Sequence, residues 1–325
     1  MASCNALRSA GSVRCASKPA YFHQSGGFLL PKVEKSDAAS VTALVQEKDS
    51  DVILRLTFRE SGTVTAPKLS VQLAEIPRTP EFAIPRLSQA KAIKALDAHA
   101  GALAAHGKLS GAMLIARKGK IIYSHSWGLA DRAAGIPNTL DTKFRLGSDN
   151  KMFTAVAVLQ LVAAGKVSLD GTVGDYLPDY PNKDVARMVT VRMLLTHSGG
   201  TGDIFGPEFV KNRQKLKNNE DYIALFGKRE PLFKPGTQEA YSNFGFIILG
   251  SIVRHVSGED YYDYVRDHIF RPAGMTNTGS LQEDAAVPGR ALAYTFEDGK
   301  WVNAAATLPL RGVAAGGAIR PRVTC

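Results

Sequence analysis

Ser148 and Lys151, in the tetrapeptide Ser148-Asp149-Asn150-Lys151, put a hydroxyl nucleophile and an amine base one helical turn apart. Residues at i and i+3 on a helix share a face, so the two side chains can meet. A serine hydroxyl is a weak nucleophile until a base takes its proton, and a lysine whose burial favours the neutral amine can be that base. Downstream, Tyr241-Ser242-Asn243 supplies a phenol and an amide. A tyrosine beside a lysine can hold or relay the proton, because a neighbouring cation favours the phenolate. The asparagine can aim its amide at a substrate carbonyl or at the lysine. Each motif alone has an ordinary explanation: an N-cap serine with a solvated lysine, or a loop tyrosine with a capping asparagine. Their order and their separation of about ninety residues make the pair informative.

Both motifs stand at the mouths of apolar segments that would fix them. Met152, Phe153, Ala155, Val156, Ala157, Val158, Leu159, Leu161 and Val162 make a helix that is apolar almost all round and stops at Gly165. Phe246-Ile247-Ile248-Leu249-Gly250 follows Asn243 directly. Upstream, an alanine-, leucine- and lysine-rich helix is expected from 88 to about 106. The runs 112–117 and 120–123 flank Lys118-Gly119 and predict a β-hairpin. Residues 150 to about 270 read as mostly helical with long loops. Two further alternating runs, 51–58 and 68–73, predict strands around a Ser61-Gly62 turn. Two or three strands are too few to be stable alone, so this piece must dock on something larger. A proline-rich linker, 76–85, follows it.

In combination these residues resemble the penicillin-recognising serine hydrolases. The similarity is to the branch holding class C β-lactamases, D-alanyl-D-alanine carboxypeptidases and family VIII carboxylesterases. Ser148-x-x-Lys151 and Tyr241-x-Asn243 look like that family's first two motifs. Phe144-Arg145-Leu146-Gly147 leads into the nucleophile as the family does, and Leu194-Leu195-Thr196-His197 resembles its Leu-Leu-Thr-His turn. Tyr261-Tyr262-Asp263-Tyr264-Val265 and Pro272-Ala273-Gly274-Met275 resemble its later helix and loop. The resemblance runs from about residue 88 to Gly317. It implies an α+β fold, an antiparallel sheet flanked by helices plus an all-α lobe, with the site between lobe and sheet. It also implies roles: Ser148 is the acylated nucleophile, Lys151 its base, Tyr241 the proton relay, and Asn243 a substrate-positioning group. The expected organisation is a leader-like tail over 1–33, a β-rich segment over 34–77, a linker over 78–87 and the hydrolase-like domain from 88 onward.

After Gly317 the resemblance stops. The family continues with a Ser-Thr-x-x-Asp-Leu helix and, much later, a Lys-Thr-Gly or His-x-Gly motif whose strand gives a backbone N–H to the oxyanion hole. This chain reads Ala318-Ile319-Arg320-Pro321-Arg322-Val323-Thr324-Cys325. The change in character at residue 318 suggests a frameshift or truncation, and losing one such donor costs about a hundred- to a thousand-fold in rate. The expected activity is acyl-enzyme hydrolysis, with short-chain acyl esters preferred and a lactam or D-amino-acid peptide as the alternative substrate. A catalytically inactive binding protein is the alternative of another class.

Composition bounds the rest. The 325 residues are 45% hydrophobic and 22% charged, enough for a large core plus an appendage. The formal charge of +10 is scattered, with a cluster over 211–217 and another in the N-terminal tail, and no zinc-finger or RNA-binding signature accompanies it. No nucleic-acid partner is therefore expected; the partner that the resemblance implies is a small-molecule ester or lactam substrate. Cys4, Cys15 and Cys325 support neither a disulfide framework nor a thiolate metal site, and the seven histidines include no HExxH pair. No cofactor or metal is expected. No apolar run approaches eighteen residues, so no membrane span is expected. Residues 1–33 are basic and serine-containing with no acid before Glu34, which fits an organellar transit peptide. They fit equally an expression leader or an arbitrary upstream reading, which is preferred. Without a seven-residue apolar core no secretory signal is read, and a cytoplasmic location is expected.

Overall fold

The computed structural model describes residues 27–47, 52–59, 68–74, 86–282, 285, 287–297, 299–317 and 319–320. The expected tail up to residue 26, the Ser61-Gly62 turn, the proline-rich stretch 76–85 and all three cysteines lie outside the described residues. In chain order the strands β1 (Phe28–Ser36), β2 (Ser40–Glu47), β3 (Ile53–Arg59) and β4 (Lys68–Leu73) come first, then helix α1 (Gln89–Ala105). β5 (Gly111–Arg117), β6 (Lys120–Trp127), β7 (Leu129–Asp131), β8 (Ile136–Pro137) and β9 (Phe144–Arg145) lead to a 3₁₀ turn, Gly147–Asn150. Seven helices follow: α2 (Lys151–Ala163), α3 (Val173–Tyr176), α4 (Lys183–Met188), α5 (Val191–Leu195), α6 (Pro207–Asn212), α7 (Asn219–Phe226) and α8 (Asn243–Ser257). The short α9 (Tyr261–Val265), then β10 (Tyr294–Glu297), β11 (Lys300–Asn303) and β12 (Ile319–Arg320), complete the order.

The described residues form two compact units, one running to Lys108 and including β10 and β11, the other holding the rest. In the first, β1 to β4 make an antiparallel meander in sequence order. β3 and β4 are the two strands read from alternation. The neighbouring threonines Thr42 and Thr57, directly opposite in register, share a hydroxyl hydrogen bond of 3.2 Å. Residues 28–33 were expected in an unstructured tail, yet they form the first part of β1. The alternation is weak there because β1 is an edge strand exposed on nearly its whole length. Pro31, which has no N–H to give a ladder, falls where the pairing register shifts between Leu29 and Lys32. α1, read with the hydrolase-like region, lies in this first unit along with β10 and β11.

The second unit carries the helices. The β5–β6 hairpin forms as predicted, turning through Lys118 (φ 50°) and Gly119 (φ 75°), the left-handed pair that a two-residue hairpin needs. Its strands, like β7–β8 and β9–β12, form two-stranded ladders among the described residues. The core is helical. α8 is buried from Asn243 to Val253 and packs on α2, whose Phe153, Ala157, Val158 and Leu161 belong to the same buried cluster. α2 ends as Gly165 predicts, with Gly165 N–H on Val162 O at 2.9 Å and Lys166 N–H on Leu161 O at 2.9 Å. It is not buried all round, however. Met152, Val156 and Leu159, spaced i, i+4 and i+7, are about half exposed, because only the opposite face meets α8. No helix among the described residues is long and apolar enough to cross a membrane.

Gly250 on α8 permits a close approach to the segment that returns to the nucleophile. A β-carbon there would lie 2.5 Å from Ala314 Cβ and 2.6 Å from Asn219 Nδ2. Ala314 is fully buried and Asn219 nearly so, so neither can step aside. Gly250→Ala is therefore expected to destabilise the protein by about 1–3 kcal/mol, as overpacking does. The measurement is the urea midpoint, expected to fall at unchanged m-value; an unchanged midpoint would show that the contact relaxes freely.

Candidate active site

Ser148 sits at the second position of the 3₁₀ turn, exposed, immediately after Gly147. Gly147 has φ 55°, which swings the chain out of β9 and into the turn. The backbone at this corner is held from behind. Gly317 N–H donates to Gly147 O at 3.2 Å, and a β-carbon on Gly316 would come within 3.1 Å of the same oxygen.

Lys151 begins α2 and is only 8% exposed. A buried amine must find acceptors for its protons, and each is supplied by a different part of the chain. Nζ donates to Ala315 O at 2.5 Å and to Asn243 Oδ1 at 2.7 Å, and it lies 3.3 Å from Ser148 Oγ. The rings of Tyr241 and Phe246 flank the amine at 4.7 and 5.5 Å from their centroids. The Ala315 carbonyl belongs to a turn whose carbonyls are taken in succession by the nucleophile segment. Asn150 Nδ2 donates to Val313 O at 2.9 Å and Thr154 Oγ1 to Ala314 O at 2.7 Å. Thr154 has one proton and gives it to Ala314 O, so Tyr261 must donate its own across their 2.6 Å contact. Burial pushes that phenol up to about 12, so it stays a donor. Asn219 closes the turn by accepting from Ala314 N–H at 3.2 Å.

Tyr241 lies just before α8, 53% exposed, and its hydroxyl donates to Ser148 Oγ at 2.6 Å. His197 orders this approach. It follows α5 in the left-handed conformation, φ 58°, and its carbonyl accepts from Ala240 N–H at 3.0 Å. Its Nδ1 accepts from Ser242 N–H at 3.1 Å, so the ring carries its proton on Nε2. The imidazole lies against the rings of Tyr241 and Phe246, with centroids 4.7 and 5.2 Å away. Burial first, and then the charge of Lys151, lower its proton affinity below the ordinary histidine range. His197 thus clamps residues 240–242, and among the described residues no hydrogen bond joins it to Ser148. Ser198 is a turn residue, its hydroxyl 3.0 Å from that of Thr196.

The structure brings together all four residues singled out by sequence: Ser148, Lys151, Tyr241 and Asn243. It adds four that sequence reasoning missed. Ala315 acts through a backbone carbonyl, which has no signature in a sequence. Thr154 and Asn219 are ordinary polar residues in helices. Asp203 accepts from Asn243 Nδ2 at 2.8 Å, and only its place shortly after the Thr-His turn could have drawn attention to it. Among the described residues no cluster of three or more His, Cys, Asp or Glu side chains could hold a metal ion.

A family model described as Beta-lactamase matches residues 91–320. That match reaches three residues past Gly317, where Ile319–Arg320 pairs with β9 just ahead of the nucleophile. The chain is 36% identical over 195 residues to a putative penicillin-binding protein, PbpX, of Bacillus subtilis (strain 168), covering 60% of this chain and 47% of that one. It is 34% identical over 208 residues to esterase EstB of Burkholderia gladioli, covering 59% and 52%. A solved structure of a penicillin-binding protein from Bacillus halodurans is similar with a TM-score of 0.62 and 36% identity, over 69% of this chain and 70% of that one. The chain spans about half the length of the curated relatives it matches.

The clamp makes a pH prediction. A chain that unfolds releases His197 to its ordinary value of 6.5, above the folded one. As pH falls, the unfolded state takes up this proton first. The stability from His197 is therefore fully present above 6.5 and is lost as pH falls through the folded value. Imidazole ¹⁵N NMR is expected to show a neutral Nε2–H ring at neutral pH, with a midpoint below 6.5. A protonated ring at neutral pH would contradict the Ser242 N–H to Nδ1 bond.

Proposed function

The chain belongs to the Beta-lactamase family, and from that premise we propose that it is a serine hydrolase working through an acyl-enzyme. One observation carries the reading: of the three hydrogen-bonding contacts of Lys151 Nζ, two are with atoms that can only accept, and the third is the Ser148 hydroxyl. A neutral amine has two N–H groups and a lone pair. Its protons go to Ala315 O and Asn243 Oδ1, which leaves the lone pair for the Ser148 proton. An ammonium fits the same three contacts, since a hydroxyl oxygen also accepts. The base can take a proton without any neighbour moving.

In the acylation step Ser148 Oγ attacks the substrate carbonyl carbon while its proton passes to Lys151 Nζ. The carbonyl π pair moves onto oxygen, then returns as the bond to the leaving group breaks. Tyr241, 2.6 Å from Ser148 Oγ, protonates the departing oxygen or nitrogen and recovers its proton from the lysine. Water, deprotonated by the same pair, attacks the acyl-serine, and the acid leaves with Ser148 restored. Asn243 holds Lys151 at 2.7 Å, so its role includes orienting the base as well as facing the substrate.

A carboxylesterase acting on short-chain acyl esters is the preferred reading, supported by the 34% identity to EstB. The 36% identity to a protein described as penicillin-binding favours a second reading, a lactam or D-amino-acid peptide substrate. Hydrolysis of p-nitrophenyl butyrate beside nitrocefin separates the two. Ser148→Ala is expected to remove all turnover above background. Tyr241→Phe is expected to lower it by about 10²–10⁴-fold, the usual worth of a positioned proton donor. Equal background rates on both substrates for folded wild-type and Ser148→Ala protein would sink the proposal.

A further inference from the structure

Asp203 lies on an exposed loop and touches neither Ser148 nor Lys151, but it decides which way Asn243 faces. The two ends of the Asn243 amide differ: Oδ1 accepts and Nδ2 donates. Oδ1 receives Lys151 Nζ at 2.7 Å, and Nδ2 donates to Asp203 Oδ1 at 2.8 Å. A carboxylate only accepts, so it holds the NH₂ end and the oxygen is left for the lysine. A half-turn of the amide would set Oδ1 against the Asp203 carboxylate, acceptor facing acceptor, and would aim two donors at the amine.

Asp203 is itself well placed to hold that end. Its Oδ1 accepts from Ile204 N–H at 2.6 Å, and its carbonyl accepts from Arg229 Nη1 at 2.9 Å. The loop is tied to the start of α8 by Ser242 Oγ, which donates to Gly202 O at 2.6 Å and contacts Thr201 Oγ1 at 2.8 Å. The carboxylate and the amide it grips are therefore fixed in one frame. Nucleophile, base, and a group that orients the base by way of a third is the arrangement that activated serines need.

We propose that Asp203 is a positioning residue: through Asn243 it points the acceptor that keeps a Lys151 proton turned away from Ser148. This rests on the serine-hydrolase reading, and the experiment separates the two. The rate of labelling of Ser148 by a fluorophosphonate is measured in the full chain, in Asp203→Ala, in Asn243→Ala and in the double variant, with Ser148→Ala as the blank. Asp203→Ala alone is expected to slow labelling by about ten- to a hundred-fold, the cost of a misplaced catalytic group. In the Asn243→Ala background the same change is expected to have almost no effect, because its route to the lysine is already cut. Asp203→Asn, whose side-chain oxygen can accept the same bond, is expected to recover most of the rate. If Asp203→Ala costs the same factor in both backgrounds, or nothing in either, the proposal is overturned while the hydrolase reading stands. Absence of Ser148 labelling in the wild-type chain overturns both. Should Asp203→Ala fail to fold, Asp203→Ser takes its place in the same cycle.

Discussion

A primary amine buried in an apolar helix pair must have a partner for every proton it carries. The second unit is arranged around that need. Lys151 opens a helix whose buried residues are Phe153, Ala157, Val158 and Leu161 besides Thr154, whose hydroxyl is engaged with Ala314 O and Tyr261. The acceptors of the amine come from residues 92 and 164 positions further along the chain. Leaving one of those partners out would cost about 1–3 kcal/mol for an unsatisfied buried group. The amine therefore dictates where the N-terminus of α8 and the 313–317 turn must sit, and these in turn fix the nucleophile's own backbone through Gly147.

The turn is held as a unit. Carbonyls of Val313, Ala314 and Ala315 are taken by Asn150, Thr154 and Lys151, three side chains along one edge of the nucleophile segment. Small residues are what make this possible. Ala314 and Gly250 meet where larger side chains would push α8 off the turn, and Gly316 lies against Gly147 with no room to spare. Packing in the helical core and hydrogen bonding at the site are thus the same set of contacts viewed from two sides.

How much of this is legible in the sequence depends on how local it is. The hairpin at Lys118-Gly119, the stop at Gly165 and the two apolar helices follow from residue type and spacing alone. Ser148 and Lys151 are legible because a helical turn brings them together whatever else the chain does. Tyr241 and Asn243 are legible only as a pair with them. The Ala315 carbonyl is invisible, since every residue has one and the contact joins residues 164 apart. Asp203 and His197 were open to misreading for a different reason: a charged loop residue and a histidine in a turn are common, and only the direction of a hydrogen bond gives either one its part. The first half of β1 escaped because an edge strand exposed on nearly its whole length has little apolar alternation to show.

The aromatic surroundings of Lys151 bear on how one site can hold both proton states. An ammonium beside the faces of Tyr241 and Phe246 gains from their negative quadrupoles, while a neutral amine sits against the same rings without penalty. His197, neutral and lying tilted against both rings, adds no competing positive charge at that point. A protonated imidazole there would repel the ammonium and would also lose the Ser242 N–H bond that shapes the approach of Tyr241. Burial first, and then the neighbouring amine, keep the imidazole uncharged, so the clamp on residues 240–242 and the hydrogen bonds of Lys151 are compatible in one site.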